Sequence, residues 1–410
     1  MKKKSARKYD LVVYGAASFV GRILCHYLNQ RHGVGRELNW AIAGRDAAKL
    51  ASLKSDLGAP DLPHLLANAR NADSLREMAT STRVVVSTVG PYALYGTGLI
   101  EACCEAGTDY CDLTGEVQWV RAMIDGYATA AEASGARIVP SCGFDSIPSD
   151  LGVWFLQQQA EQAFGAPCVA VKMRVKAARG GASGGTVASL LNVVKEAGRD
   201  PALRKQLQNP YSLAPEGQRS GVRQPNVTRP EYDAEAKAWL APFVMAAINT
   251  RVVHRSHALL GRPWGADFVY DEAMMMGDGG KGRLRAWGMS GGLGAFVGLA
   301  ALAPSRALLE RFVLPKPGEG PSPEAQEKGF YDLRFYGRTA KGETLQVKVT
   351  GDRDPGYGST AKMLGEAAVC LVRDVAEEAS GGFWTPATLL NGKLVSRLTE
   401  HAGLTFERVA

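Results

Sequence analysis

The sequence predicts an α/β protein with an N-terminal, doubly wound parallel sheet of the Rossmann type and a second α+β domain. Over the first 145 residues, short apolar and β-branched runs alternate with amphipathic helical patterns, as in βαβ units. After this point the rhythm changes to longer alternating strands and a hairpin signal. We therefore expect a Rossmann domain over 1–145, an α+β domain over 146–350, and C-terminal helices over 351–410 that pack back on the Rossmann domain.

The predicted strands of the first domain are short apolar runs, which is typical of strands buried on both faces of a parallel sheet. These strands are Leu11–Tyr14, Leu38–Ala43, Leu62–Leu66, Val84–Val86, Tyr110–Asp112 and Arg137–Val139. The helices predicted between them are Phe19–Arg31, Asp46–Leu57, Leu99–Ala106 and Val117–Ser134. Asp46 suits the N-cap of the second helix, because its carboxylate accepts from free backbone N–H groups there.

The second part of the chain carries different signals. Val169–Val175 alternates as a strand, and Tyr331–Tyr336 with Leu345–Val349 flanks a Lys-Gly turn, which predicts a β-hairpin. Residues 199–232 are rich in Pro, Gln, Asn and Arg and predict a long loop. Lys362–Ala379 predicts a late helix.

The composition is that of a folded protein, with 46% hydrophobic and 22% charged residues among 410. The formal net charge is +7, but the first nine residues contribute five cations and no acid. These cations are Lys2, Lys3, Lys4, Arg7 and Lys8. We interpret this segment as a solvated, disordered tail. Since no basic stripe with interleaved aromatic residues occurs, nucleic acid is not an expected partner.

The seven cysteines have no CxxC spacing and no pairing with His that resembles a zinc site. We expect reduced and mostly buried thiols, no metal, and a cytoplasmic protein. The basic N-terminus lacks the apolar core of a secretory signal.

The stretch Ala286–Ser305 contains no charged residue and has about the length of a membrane span. Its five glycines, together with Pro304, argue against a span. We interpret it as buried or lipid-facing structure inside a soluble domain. The alternative is peripheral contact with a membrane, such as the inner face of the plasma membrane.

A candidate dinucleotide site lies in the segment Gly15-Ala16-Ala17-Ser18-Phe19-Val20-Gly21, which follows the first strand and opens the first helix. Such a site needs a tight turn, close backbone approach to the pyrophosphate and a helix N-terminus aimed at it. The predicted cofactor contacts in this segment are Gly15, Ala16, Ser18, Phe19, Val20 and Gly21. The Ser18 hydroxyl can donate to a phosphate oxygen. An ordinary strand–helix turn is the alternative interpretation.

Arg45 follows the second strand, where NAD enzymes usually place an acid on the ribose 2′-hydroxyl. A guanidinium suits the 2′-phosphate of NADP, which an acid would repel. The sequence therefore predicts NADP(H), while a solvated arginine is the alternative. Asp46 is expected to cap the helix rather than to bind ribose.

The end of the fourth strand is the sheet edge at which ligands of open α/β sheets bind. We expect the nicotinamide half of the cofactor beside Thr88, Val89, Gly90 and Pro91. Tyr92 and Tyr95 either contact substrate or pack in the core.

Two further polar clusters follow later strands of the sheet. Asp112, Glu116 and Asp145 could bind substrate or relay protons. The alternative is capping, in which Asp145 and Ser146 satisfy the helix that starts near Pro148. Cys142 has no base nearby in sequence and is interpreted as a buried thiol.

The series of motifs resembles the saccharopine dehydrogenase-like oxidoreductases, in the bacterial branch that contains trans-acting enoyl reductases of lipid and polyketide synthesis. The matching motifs, in chain order, are GAASFVG, AGR, STVGPYxxYG, GTDYCDLTGE, CGFDSIPSDLG and GGT. The resemblance covers nearly the whole chain. Ser18 departs from it, because the family usually has glycine at this position.

The resemblance implies an NADP-binding Rossmann domain and a second domain for substrate binding and dimerisation, hence a homodimer. It also implies hydride transfer from NADPH to the β-carbon of an enoyl thioester that a partner synthase carries. The developing enolate oxygen needs donors, for which the candidates are Tyr92, Ser146, Ser183 and Thr186.

Other activities remain open at this stage. No tyrosine is followed by lysine four positions later, which argues against short-chain dehydrogenase chemistry. One alternative is a saccharopine-type amino-acid dehydrogenase, which needs a basic cluster facing the nicotinamide. The other is a non-catalytic, NADP-binding and lipid-associated scaffold, since a fold does not fix a function.

Overall fold

The computed structural model describes residues 4–144, 146–180, 184–218, 221–312 and 320–409. Its contacts divide the chain into two compact units. The first comprises Met1–Phe144, Gly318–Gly320 and Gly356–Ala402, and the second comprises Asp145–Pro317, Pro321–Pro355 and Gly403–Ala410.

Strands and helices alternate through the first third of the chain and mix irregularly afterwards. The strands are β1 (Tyr9–Tyr14), β2 (Trp40–Gly44), β3 (His64–Leu66), β4 (Thr82–Ser87), β5 (Asp109–Asp112), β6 (Arg137–Val139), β7 (Cys168–Arg179), β8 (Glu231–Asp233), β9 (Ala238–Pro242), β10 (Val269–Met275), β11 (Phe330–Thr339), β12 (Thr344–Gly351), β13 (Gly382–Phe383) and β14 (Leu404–Val409). The helices are α1 (Phe19–His32), α2 (Ala47–Asp56), α3 (Ala72–Ser81), α4 (Tyr92–Tyr95), α5 (Thr97–Ala106), α6 (Val117–Ser134), α7 (Ile147–Phe164), α8 (Gly184–Arg199), α9 (Pro201–Gln208), α10 (Ala246–Leu259), α11 (Gly279–Ala301), α12 (Ala303–Phe312), α13 (Pro323–Glu327), α14 (Thr360–Arg373) and α15 (Asn391–His401).

The first unit is built on a seven-stranded sheet in the order β13-β6-β5-β4-β1-β2-β3. All of its pairings are parallel. The central strands are buried on both faces, as the apolar runs predict, and the expected Rossmann-type architecture is confirmed. The seventh strand, β13, was not predicted from the sequence. Its two residues carry no periodic signal, and only the pairing with β6 defines them as a strand.

Capping groups define the helices of this unit. The Asp46 carboxylate accepts from Lys49 N at 3.1 Å, so the predicted N-cap of α2 is confirmed. α6 spans Val117–Ser134, as predicted, and ends at Gly135, whose φ of +78° suits glycine. In the C-terminal part of the chain, α14 packs against α1, α15 and β4.

The basic N-terminal segment is not a free tail where the structure describes it. Lys4 Nζ bonds to an Asp109 carboxylate oxygen at 2.5 Å, and Asp109 also pairs with buried Arg137. Arg7 donates to the carbonyl oxygens of Ala79 and Thr82 at 2.8 Å. The prediction of a solvated tail is therefore wrong for Lys4 and Arg7, whose charges are used inside the first unit. A local charge count could not reveal acceptors about 70 to 130 residues away. Lys2 and Lys3 lie outside the described residues.

The second unit contains a mixed sheet in the order β14-β12-β11-β7-β10-β9-β8. β11 and β12 pair antiparallel from Tyr331–Gly351 to Arg338–Thr344, which confirms the predicted hairpin. The segment 351–410, for which the sequence predicts helices, also contains the strand β14, which pairs with β12. The predicted loop over 199–232 contains an eight-residue helix, α9, which Asp200 caps.

A buried polar network joins α7, α10 and β10 within the second unit. Glu272 accepts from Tyr270 Oη at 2.7 Å and from Asn249 Nδ2 at 2.9 Å. The same Asn249 amide donates to Ser149 Oγ at 3.1 Å, and its oxygen accepts from Ser146 Oγ at 3.4 Å. Burial raises the pKa of Glu272 to about 7, although these hydrogen bonds oppose the shift.

The uncharged stretch from Ala286 lies largely in α11, whose outer side is exposed rather than buried. Glycine-rich sequence without periodic charge gives no signal for which side of a helix faces the core. None of the helices among the described residues is both long enough and apolar enough to cross a membrane. All seven cysteines are buried and unpaired, as predicted.

The raised pKa of Glu272 predicts a pH-dependent stability. Between pH 4.5 and pH 7 the folded state keeps a proton on Glu272 that the unfolded state has released. The contribution of this network to the free energy of unfolding is therefore complete below about pH 4.5 and is lost as pH rises through 7. Relative to Glu272→Gln, which does not titrate, the wild type should lose up to about 3 kcal/mol between pH 4.5 and pH 8.

Thermal unfolding of both proteins across this pH range measures the difference. Glu231→Gln, an exposed carboxylate at the start of β8, is the matched control. Parallel pH profiles of the wild type and Glu272→Gln would show that Glu272 is charged in the folded state and would contradict the prediction.

Candidate functional site

The first βα turn of the Rossmann-type unit leaves no room for side chains at its two outer glycines. Gly15 has φ of +83°, and a Cβ there would lie 2.7 Å from both Thr88 Oγ1 and Val89 Cγ2. A Cβ on Gly21 would lie 2.2 Å from the Gly15 carbonyl oxygen. Glycine at both positions therefore lets the turn, the first helical turn of α1 and the end of β4 approach one another closely.

Ser18 fastens this turn through two hydrogen bonds. Its Oγ accepts from Gly21 N at 3.0 Å, as an N-cap of α1, and lies 3.0 Å from Thr88 Oγ1. Thr88 donates its own proton to the Gly15 carbonyl oxygen at 3.0 Å. In the hydrogen bond between Ser18 and Thr88 either hydroxyl can donate. The structure thus gives the Ser18 hydroxyl a protein partner, and its contact with a phosphate oxygen stays a prediction.

The N-terminus of α1 still supplies donors to an anion. The backbone N–H groups of Phe19 and Val20 are in the first turn and have no acceptor inside the helix. They lie at the positive end of the helix dipole. Ala16, in contrast, is fully buried, and its N–H donates to the Ala43 carbonyl at 3.2 Å. The turn therefore has the donors and the close backbone approach that a dinucleotide pyrophosphate requires.

Arg45 stands exposed at the end of β2, one strand away from the turn. Within the described part of the chain no carboxylate forms an ion pair with it. Its neighbour Asp46 is engaged with Lys49 N. Burial raises the pKa of Tyr14 to about 12, and the positive charge of Arg45 opposes this shift. A free guanidinium beside the first two strands fits a ribose 2′-phosphate.

The turn after β4 contains a cis peptide bond between Gly90 and Pro91. Gly90 is exposed, and Thr88, Val89 and Pro91 are partly exposed. This segment is thus accessible at the carboxyl edge of the sheet, where the nicotinamide was predicted to bind.

Tyr92, a predicted proton donor, is buried under this turn. Its hydroxyl donates to the Ser87 carbonyl at 3.0 Å, and its ring lies 5.3 Å from that of Trp119. Burial, followed by the nearby charge of Asp112, raises the pKa of Tyr92 well above its ordinary value. This geometry favours the packing interpretation of Tyr92.

Two buried carboxylates shape the neighbouring loops. Glu116 accepts from the backbone N–H groups of Tyr92 and Ala93 at 2.8 and 2.9 Å, at the N-terminus of α4. Asp112 accepts from Thr114 N at 3.0 Å and Ser141 N at 2.9 Å. Their hydrogen bonds indicate that both hold backbone in place.

Asp112 also accepts from the hydroxyl of Tyr110 at 2.7 Å. Burial raises the pKa of Asp112 to about 6, and its three hydrogen bonds limit the rise. Neither Tyr110 nor Ser141 was selected from the sequence. Ser141 has φ of +62°, a conformation that no sequence pattern announced.

The remaining candidate donors belong to the second part of the chain. Ser146 precedes α7, but its side chain makes no cap; it donates to Asn249 Oδ1 instead, so the prediction that it caps α7 is wrong. Ser183 and Asp145 lie outside the described residues, and Thr186 is described only as part of the backbone of α8. Cys142 is a buried thiol, as predicted. For Ser146, Ser183 and Thr186 a catalytic role stays a prediction.

Comparisons with known proteins agree with this architecture. Residues 11–139 match the family model of the saccharopine dehydrogenase NADP binding domain. A solved structure, apo saccharopine dehydrogenase (L-Glu forming) from Saccharomyces cerevisiae, covers 98% of this chain and 100% of its own, with a TM-score of 0.55 and 10% identity. At this identity the likeness concerns the fold alone.

Two curated relatives are similar over nearly their full length. A putative trans-acting enoyl reductase of Mycobacterium tuberculosis is 40% identical over 407 residues, covering 96% of each chain. A trans-acting enoyl reductase of Mycobacterium ulcerans is 36% identical over 412 residues, again covering 96% of each. The chain therefore belongs to the saccharopine dehydrogenase-like oxidoreductases, in the branch of the trans-acting enoyl reductases, and its residues 11–139 form the NADP-binding domain of that family.

Proposed function

We propose that this protein is an NADPH-dependent reductase that saturates an enoyl thioester presented by a separate synthase. The observation that carries the proposal is the full-length similarity to proteins named trans-acting enoyl reductases, in a chain whose first βα turn keeps the geometry of a dinucleotide site. The name of these relatives implies a partner that lacks the reductase. Homodimer formation stays a prediction.

The first unit contains candidate binding residues for each part of NADPH. The Phe19 and Val20 N–H groups would bind the pyrophosphate, and Arg45 would bind the 2′-phosphate. The turn from Val89 to Pro91 would face the nicotinamide. Bound NADPH supplies the hydride. The protein's own tasks are then to orient the acyl chain, exclude water, and provide a hydrogen-bond donor for the developing enolate oxygen.

The α-carbon must also receive a proton. Tyr92 is poorly suited, because its hydroxyl is buried and donates to a backbone carbonyl. Ser146 has the same drawback, because its side chain is also buried and its hydroxyl donates to Asn249 Oδ1. Ser183 and Thr186 remain candidates from the sequence.

Substrate class is tested by following NADPH consumption by the full-length protein. The panel contains short and long enoyl thioesters, free and on a carrier protein, and pairs of an amino acid and a 2-oxo acid. Saccharopine, which is already reduced, is tested with NADP+ for the formation of NADPH. We expect turnover of enoyl thioesters, and mass spectrometry should show a product that is heavier by two hydrogens. Turnover of the amino-acid substrates alone would favour a saccharopine-type dehydrogenase. Tight NADPH binding without any turnover would favour a non-catalytic scaffold.

Removing the Arg45 guanidinium should change cofactor choice. We expect Arg45→Ala to weaken NADPH binding by about 10- to 150-fold, the worth of a charge-assisted hydrogen bond, and to leave NADH binding unchanged. Titration calorimetry with both cofactors measures this. Arg76→Ala removes an exposed arginine on α3 that pairs with Asp73 and serves as the control. An equal loss of affinity for both cofactors would show that Arg45 does not bind the 2′-phosphate.

Ser18 is expected to position the turn rather than to bind phosphate. Ser18→Gly, which restores the family's usual residue, should cost only about a few tenths of a kcal/mol of stability and keep NADPH affinity. Ser18→Ala should cost about 1 kcal/mol. Thr88→Val tests the same hydrogen bond, and the double variant Ser18→Ala with Thr88→Val should be non-additive in unfolding measurements. A tenfold loss of NADPH affinity in Ser18→Gly would instead mean direct phosphate contact.

A further inference from the structure

The outer side of α11 exposes large apolar side chains. Leu284 is 75% exposed, Trp287 is 55% exposed and Leu299 is 47% exposed. Gly291 and Ala295 occupy the turns between them, at helical spacings of three or four residues. These residues form one apolar stripe along about four turns of the helix.

On the opposite side of the same helix, three small residues near its two ends are buried. Gly282, Ala286 and Ala300 are buried, and their spacing places them on a face opposite the exposed stripe. α11 packs there against β9. The apolar stripe therefore lies on the side of α11 that faces away from these buried small residues.

The apolar surface extends beyond the stripe. Met289 and Val297 on other sides of α11, Leu302 between the two helices and Leu308 on α12 are also more than 40% exposed. We call the exposed apolar residues of α11 and α12 the α11–α12 surface; its members are Leu284, Trp287, Met289, Val297, Leu299, Leu302 and Leu308. So many exposed large apolar side chains on two consecutive helices mark an interaction site.

Cations predominate around the α11–α12 surface, although Asp278 caps α11 and Glu310 lies in α12. The sequence from 279 to 309 contains four cations and no aspartate or glutamate. These cations are Lys281, Arg283, Arg285 and Arg306. Lys281 and Arg285 are exposed beside Leu284, and Arg283 lies over the ring of Trp239. Apolar residues with tryptophan, next to a local excess of cations, are the features of a helix that lies in the plane of an anionic membrane interface.

A second copy of the chain fits the same surface less well. In a twofold interface the same patch contacts itself, which would bring the excess cations of both copies together. Anionic lipid headgroups would neutralise the cations, while the acyl region would take up the leucines and the tryptophan.

We propose that the α11–α12 surface docks the protein on an anionic lipid bilayer, with α11 lying in the interface and not crossing it. This proposal rests on exposure and charge in the second unit and is independent of the enoyl reductase activity.

The test uses the full-length protein with vesicles of phosphatidylcholine alone, and of phosphatidylcholine with phosphatidylglycerol at about one third of the lipid. We expect co-flotation with the anionic vesicles, weak binding to the neutral ones, and release at high salt. The double variant Lys281→Ala with Arg285→Ala should weaken binding by about 30-fold, or roughly fivefold for each cation.

A second double variant, Leu284→Ser with Trp287→Ser, should abolish flotation at any salt concentration. Leu260→Ser, at an exposed leucine of the second unit away from this surface, is the matched control and should bind like the wild type. Unchanged NADPH affinity in every variant shows that the protein is folded.

Two results would overturn the proposal. One is the absence of binding to anionic vesicles by the wild type, or binding that Leu284→Ser with Trp287→Ser does not change. The other is a dimer in light scattering that this variant converts to a monomer, without vesicle binding by the wild type, since the surface would then be an interface between copies.

Discussion

The hydrogen bond from Thr88 to the Gly15 carbonyl is the interaction on which the cofactor end of the first unit depends. It joins the end of β4 to the turn that follows β1, and it forms because Gly15 has no side chain to keep Thr88 away. Ser18 extends the connection to α1 by capping the helix and forming a hydrogen bond with Thr88. The α1 N-terminus is thereby held beside the carboxyl edge of the sheet, which is where a pyrophosphate needs it.

Most of the polar groups near the carboxyl edge of this sheet form hydrogen bonds that stabilise the fold. Glu116 binds the first N–H groups of α4, and Asp112 holds the loops after β5 and β6. Tyr92, which looks like an acid from its position in the sequence, donates to a carbonyl. Among these residues the exception is Arg45, an exposed charge with no ion pair within the described residues. Because the other polar groups here have hydrogen-bond partners within the protein, the cation without an ion pair is the group that best indicates where a ligand binds.

The sequence predicts what local patterns determine. The apolar strands, the Asp46 cap and the β11–β12 hairpin depend on neighbours within a few residues, and all three are confirmed. It does not predict interactions between distant residues. The partners of Ser146 and Arg7 lie 103 and 72 to 101 residues away, so a capping serine and a solvated tail were the natural interpretations and both were wrong. The exposed side of α11 was missed for another reason, because glycine and alanine occur all around the helix and give no amphipathic period.

The two proposals concern different residues, yet they are physically related. Long acyl chains partition into lipid, so an enzyme that acts on them meets more substrate at a bilayer than in bulk water. Docking through α11 would confine the protein to that surface and raise the effective concentration of any substrate or synthase held there, without a new contact at the reacting carbon. Such confinement changes the rate of encounter and not the chemical step. A loss of membrane binding would therefore leave turnover of a water-soluble enoyl thioester intact and reduce turnover only of substrates that are presented on lipid.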